Sequence, residues 1–202
     1  MDKKEQKTAL LKSVRDEIVN LSSSPFYTYR VENKYFPVIG QGNHDSSIMF
    51  VGEAPGKNEA QSGIPFCGAA GKILDDLLAS IDLPREEVYV TNIVKDRPPQ
   101  NRDPSPQEIA LYAPFLDRQI EIIGPRVIAT LGRFSMDYVM RRYGLGDSVA
   151  SITQLHGKVF TTTGPGGNSL TIIPLFHPAV AIYDRSKKDA LFSDFTILKQ
   201  FI

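Results

Sequence analysis

The stretch "VGEAPGKNEA", Val51 to Ala60, sets a carboxylate where a buried strand should end. The apolar run "SIMF" leads straight into it, and Gly52, Pro55 and Gly56 surround Glu53 in a tight turn followed by Lys57. Glycines and a lysine after a strand suggest a phosphate cradle, but the spacing rejects one. A phosphate loop needs G-x-x-x-x-G-K-[ST]. Here Gly52 and Gly56 are one residue too close, and Asn58 stands where a magnesium-binding hydroxyl belongs. The dinucleotide pattern G-x-G-x-x-G is missing too, since Gly40-Gln41-Gly42 precedes the strand instead of following it. Two readings of Glu53 remain: an acid put to chemical use, or a solvated or helix-capping one.

The elements that must position Glu53 follow from periodicity. Leu10, Leu11, Val14, Ile18 and Leu21 recur at helical spacing and predict a helix over roughly 4–22. The Ser-, Pro-, Gly- and Tyr-rich segment that follows, to about residue 46, reads as an irregular connection wrapping the surface. From there strands and helices alternate. "SIMFVG", "EVYVTNIV" and "RVIATLG" read as strands, "AAGKILDDLLASI", "SPQEIALYAPFLDRQIEIIG" and "RFSMDYVMRRYG" as helices, and "GKVFTTT" with "SLTIIPLF" as a looped strand pair. A last helix covers roughly 186–201. Ser105 and Glu108 form a capping box with Pro106 at the first helical position.

Strands apolar throughout, alternating with helices, imply an α/β fold whose mostly parallel sheet is covered on both faces. In such sheets ligands bind outside the carboxyl ends of the strands. The segments there are "GEAPG" (52–56), "TNIVKDRPPQNRD" (91–103), "GR" (132–133) and "HPAVAIYDRSKK" (177–188).

Composition narrows the function classes. With 202 residues, 42% hydrophobic and 23% charged, the chain suits one domain over 1–202 with one sizeable core. Lys+Arg and Asp+Glu are equal at 23 each, which excludes a highly basic nucleic-acid coat but not a local basic patch. Cys67 is the one cysteine, so neither an internal disulfide nor a cysteine cage within the chain can form. A lone cysteine suits a reducing cytoplasm. The N-terminal residues lack the pattern of a secretory signal, and no apolar run approaches the ~20 residues of a membrane span. A monomer is the expected state.

Four segments taken together, "VGEAPGKNEAQSGIPFCGAAGKILDDLL", "VYVTNIVKDRPPQNRDPSPQEI", "RVIATLG" and "LFHPAV", resemble the uracil-DNA glycosylase superfamily. They are most similar to its family four, the bacterial and archaeal thermophile-type enzymes. The resemblance implies a three-layer α/β/α fold around a mostly parallel four-stranded sheet. It also implies hydrolysis of the bond joining uracil to deoxyribose in DNA, with an abasic site and free uracil as products and no metal ion in the chemistry. The rival readings are a non-catalytic or weakly active DNA- or base-binding relative, and an enzyme acting on a nucleotide or another glycosidic substrate.

Residue by residue, the resemblance makes Glu53 the acid that handles the attacking water, as general base or as positioning group. The turn Gly52, Ala54, Pro55, Gly56 helps hold the base, Phe66 stacks on it, Asn92 reads its polar edge, and His177 faces uracil O2. Phe66 and Asn92 by themselves also read as a core residue and a turn residue. A flipping enzyme must grip a distorted backbone. Lys95, Arg97 and Arg102 in one loop, with Arg185, Lys187 and Lys188 in another, are the expected DNA contacts, and Ile182 or Val180 the apolar wedge.

The sequence departs from that family at the four cysteines that hold its [4Fe–4S] cluster. The loop position reads Asp96, the helix position Tyr112, and the N-terminal segment "NLSSSPFYTYR" holds no cysteine, so the cluster is expected to be absent. Phe26, Tyr27, Tyr29, Tyr35, Phe36 and Tyr112 are expected to fill its volume.

Overall fold

A computed structural model describes residues 2–202, apart from the side chain of Arg185. The central strands are β2 (Ile48–Gly52), β3 (Tyr89–Asn92), β4 (Val127–Leu131) and β6 (Ser169–Leu175), with short edge strands β1 (Gln41–Gly42) and β5 (Phe160–Thr163). The sheet order is β1-β3-β2-β4-β6-β5. The four inner strands are parallel, as expected, and the edge strands add antiparallel pairs, β1 to β3 and β5 to β6. The chain leaves β2 for β3 on one side and later for β4 on the other. The end of β2 is therefore the switch point of the sheet, where ligands bind in folds of this kind.

Alternate strand residues feed two cores. Ile48 and Phe50 of β2 face one, with Leu74, Leu77 and Leu78 of α4 (Ala69–Ala79) and Leu191 and Phe195 of α9 (Arg185–Phe195). Met49 and Val51 face the other, with Leu116 and Ile120 of α5 (Pro106–Ile123) and Met136 and Val139 of α6 (Arg133–Arg142). With a core on each face, β2, β3 and β4 are buried at every position. Three short helices, α3 (Lys57–Ser62), α7 (Ile152–Leu155) and α8 (Val180–Tyr183), lie in the connections. The capping box of Ser105 and Glu108 is present at the start of α5. The final helix gives way to a 3₁₀ stretch at Thr196–Phe201, earlier than its pattern suggests. No helix among the described residues is long and apolar enough to cross a membrane.

The N-terminal segment is more ordered than its composition suggests. α1 (Lys3–Val19) packs on α5, and the stretch expected to be irregular includes α2 (Tyr27–Glu32). A buried polar network joins it to the body. The Arg30 guanidinium donates to both Asp96 carboxylate oxygens, at 3.0 and 3.1 Å, and to the carbonyls of Ile18 and Val19. The Tyr112 hydroxyl donates to Asp96 Oδ2 at 2.5 Å and lies 2.7 Å from Ser24 Oγ. Phe26 stacks on Tyr112 with ring centroids 6.3 Å apart. Tyr29 and Tyr35 pair edge to face, and both hydroxyls accept from Arg97. Phe36, expected among these packed rings, is exposed instead.

Asp96 and Tyr112 stand at two of the positions matched to cluster ligands, and they bond to each other. The residues present do not fit a four-thiolate cluster. They offer a carboxylate, a phenol and a hydroxyl already engaged with one another, and Cys67 is far along the chain in a different loop.

Removing one partner of a buried ion pair leaves the other charge uncompensated. Asp96→Asn is expected to destabilise the fold by about 3–5 kcal/mol in urea unfolding. Tyr112→Phe, which deletes one hydroxyl and keeps the ring, is expected to cost about 1–3 kcal/mol.

Candidate active site

Three strand ends and the loop before α4 open onto a cavity of ≈ 370 Å³ lined by Glu53, Ala54, Pro55, Gly56, Phe66, Asn92 and His177, together with Glu59, Asn101, Arg102 and Ala179. The turn after β2, the loop before α4, the end of β3 and the segment after β6 thus meet at one place. Gly52 lies behind the cavity floor. It pairs in register with Asn92, and a Cβ added to it would stand 2.3 Å from Asn92 Oδ1 and 2.7 Å from Phe66 Cζ. Only glycine permits that approach. Phe66 itself has φ 50°, a left-handed value unusual for a bulky residue. Its carbonyl passes so close to Gly71 of α4 that a Cβ there would be 1.8 Å from the oxygen.

Glu59 holds this strained loop. Its Oε1 accepts the backbone N–H groups of Cys67 and Gly68, at 3.1 and 2.9 Å, just before α4 begins. The Phe66 ring then stacks beside His177, with centroids 5.7 Å apart. Glu59 is not marked in the sequence because its partners are backbone groups eight and nine positions away, across a loop. Cys67, beside Phe66, is exposed.

His177 and Glu53 are tuned in opposite senses by the same cause. Desolvation lowers the His177 pKa to about 4, against a weaker pull upward from Glu59. The ring is therefore neutral near pH 7. The Ala179 N–H donates to its Nδ1 at 3.1 Å, which puts the proton on Nε2 and makes that nitrogen a neutral donor. Desolvation raises the Glu53 pKa to about 7, helped by the charge of Asp103 and opposed by that of Arg133. Asp103 and Arg133 form an ion pair with each other. Neither is marked by a motif, and only the meeting of the loops after β3 and β4 brings both to bear on Glu53.

The expected DNA contacts separate into groups. Arg102 borders the cavity, stacks over Phe26 and makes a bidentate bridge to Glu108 at 2.6 and 2.8 Å. Lys188 is exposed, and Lys187 is half-buried beside Asp184 and over Phe176. The side chain of Arg185 lies outside the described residues. Lys95 is no surface contact: its side chain is completely buried beneath Asn92. Arg97 is half-buried, its Nε donating to Asn101 and its Nη1 to Tyr29 and Tyr35. Of the two expected wedges, Val180 packs against the core, whereas Ile182 is exposed. Tyr183 beside it is 87% exposed and was not anticipated. His44 and His156 lie elsewhere, bonded to Thr8 and Asp194.

The uracil DNA glycosylase superfamily model matches residues 39–197 and so spans every element that lines the cavity. The chain belongs to this superfamily. It is 39% identical over 191 residues to a type-4 uracil-DNA glycosylase of Sulfurisphaera tokodaii, covering 94% of this chain and 84% of that one. It is 42% identical over 167 residues to a type-4 uracil-DNA glycosylase of Archaeoglobus fulgidus, covering 83% and 81%. A third, from Thermotoga maritima, is 38% identical over 179 residues, covering 89% and 86%. Within the superfamily scaffold, the cavity at the switch point is the candidate active site of this member.

NMR titration is expected to place the Glu53 carboxyl midpoint at about 7 and the His177 ring at about 4. Asp103→Asn removes a like charge and is expected to lower the Glu53 midpoint, while Arg133→Ala is expected to raise it. A Glu53 midpoint that moves with neither change refutes the assigned electrostatics.

Proposed function

We propose that this protein flips uracil out of DNA and hydrolyses its N-glycosidic bond, as a monofunctional glycosylase of base-excision repair. The observation that carries the reading is the convergence of a ring platform, an amide, a neutral histidine donor and a near-neutral carboxylate on one cavity. A base inside a duplex is unreachable, so it must leave the stack, and a flipped base needs a π face and an edge reader. Phe66 supplies the first. The Asn92 amide supplies the second: it donates to uracil O4 and accepts from N3–H. Cytosine presents the reverse pattern and would leave both groups facing like partners, a mismatch that buried sites penalise strongly.

Cleavage of the C1′–N1 bond leaves its electron pair on uracil, delocalised toward O2, and positive charge on the sugar. The Nε2–H of His177 donates to the growing charge on O2. Because the ring is neutral and desolvated, it donates without an unpaired buried cation being present beforehand. Glu53 faces the sugar. Its ionised form stabilises the developing cation and takes a proton as water adds to C1′, for which a midpoint near the working pH is well suited.

Arg102, Lys187 and Lys188 are the proposed backbone contacts, and Ile182 with Tyr183 on α8 the proposed wedge. The Arg30–Asp96–Tyr112 network takes the place of a metal cluster in holding the N-terminal segment, so the activity is proposed to need no iron. The protein is proposed to act as a single-domain monomer in the cytoplasm.

An oligonucleotide with one uracil, incubated with the protein and then treated with alkali, is expected to be cut at that position. No scission on single-stranded, U:A or U:G substrate overturns the proposal, and uracil binding without scission supports a non-catalytic relative instead. His177→Ala and Asn92→Ala are each expected to slow excision by about tenfold or more. Tyr183→Ala is expected to impair duplex substrate more than single strands. The same assay on chelator-treated protein is expected to give an unchanged rate, and a loss of activity restored by iron overturns the cluster-free reading.

A further inference from the structure

Lys95 follows β3 in a loop that borders the cavity, yet its amine is turned inward and completely buried. None of its hydrogen-bond partners is a carboxylate. Nζ donates to the Asn92 carbonyl at 2.6 Å, to Thr91 Oγ1 at 2.8 Å and to Gln119 Oε1 at 2.5 Å, with a longer contact of 3.4 Å to the Ile39 carbonyl. Three close acceptors surround the amine, whose burial pushes its pKa well below the usual lysine range.

The acceptors are themselves oriented. The Thr91 hydroxyl donates to the Ile39 carbonyl at 2.7 Å, which leaves its oxygen free to accept from the lysine. The Gln119 amide nitrogen donates to the Ile39 carbonyl at 2.8 Å and to the Tyr89 hydroxyl at 3.2 Å, which turns Oε1 toward Lys95. The wrapping segment, β3 and α5 therefore all fix the position of one amine.

What that amine grips is the peptide unit between Asn92 and Ile93. On the opposite edge of the same unit, the Ile93 N–H donates to the Gly52 carbonyl at 3.0 Å. The next N–H, of Val94, donates to the Glu53 carbonyl at 3.0 Å. A peptide plane held on both edges cannot rotate, and its orientation sets the direction in which Asn92 projects its side chain. The tip of β2 supplies one hold and Lys95 the other.

We propose that Lys95 is a positioning residue that fixes the Asn92 amide in its reading geometry from behind, by holding the Asn92 carbonyl. This rests on the reading of Asn92 as the base's edge reader. It gives a buried amine with no carboxylate partner a function, and it explains why a lysine in a loop that borders the cavity turns inward.

A double-mutant cycle on single-turnover excision from a single-stranded uracil oligonucleotide tests it, at a temperature below the melting point of every variant. Lys95→Met is expected to slow excision about tenfold or more in the otherwise unchanged protein, and less than about twofold when Asn92 is already alanine. A purely structural lysine would lower the melting temperature and slow both backgrounds alike, and that result overturns the proposal. If Lys95→Met does not fold, Thr91→Val removes one of the acceptors that seat the amine at nearly constant volume. It is expected to slow excision only where Asn92 is present, and equal effects in both backgrounds overturn the proposal. Asn92→Ala as fast as the unchanged protein refutes the edge-reader role, and this positioning with it. A slow Asn92→Ala with an additive lysine effect refutes the positioning alone.

Discussion

Where β2 ends, Gly52 leaves a gap that Asn92 Oδ1 and the Phe66 ring enter from two sides, 2.3 and 2.7 Å from where a Cβ would stand. The rest of the site is arranged around that gap. Asn92 reaches it because β3 pairs with β2 in register, and the peptide after Asn92 is held by Gly52 and Lys95. Phe66 reaches it because Glu59 holds the following N–H groups and Gly71 lets the loop lie against α4. The proposed platform and the proposed edge reader thus both depend on one missing side chain.

The same enclosure produces the electrostatics. Withdrawing the His177 ring and the Glu53 carboxyl from water penalises the charged form of each. The histidine becomes a neutral donor and the glutamate a carboxylate that titrates near neutrality. One physical cause thus gives two groups opposite shifts, each suited to its proposed task. Asp103 and Arg133 act on Glu53 in opposite senses and so trim its midpoint from the rim.

Away from the cavity, the chain solves a packing problem differently from the cysteine-ligated family it resembles. Ser24, Arg30, Asp96 and Tyr112 bond directly, and Phe26 stacks on the phenol. Asp96 is followed by Arg97, whose donors seat Tyr29 and Tyr35, and the same loop runs on to Asn101 and Arg102 at the cavity. The N-terminal segment is therefore bonded to the loop that forms part of the cavity wall. Aromatic filling alone was the expectation from sequence; the structure adds a charged pair at its centre and leaves Phe36 outside it.

The sequence alone determined the alternation of strands and helices, hence the parallel sheet and the edge at which Glu53, Asn92 and His177 meet. Those features follow from local periodicity and from where apolar runs stop. It also excluded a four-cysteine cluster, because ligand chemistry is a matter of residue type. Tertiary structure decided which way the charged side chains turn. Lys95, Arg97 and Arg102 share one loop, yet one is buried beneath Asn92, one is half-buried against tyrosines and one borders the cavity. Val180 and Ile182 are two residues apart on α8, and only the second is exposed. A position in a loop fixes neither direction, because the partners that orient a side chain there (Gln119, Ile39, Tyr29, Tyr35) come from distant parts of the chain and meet only when it folds.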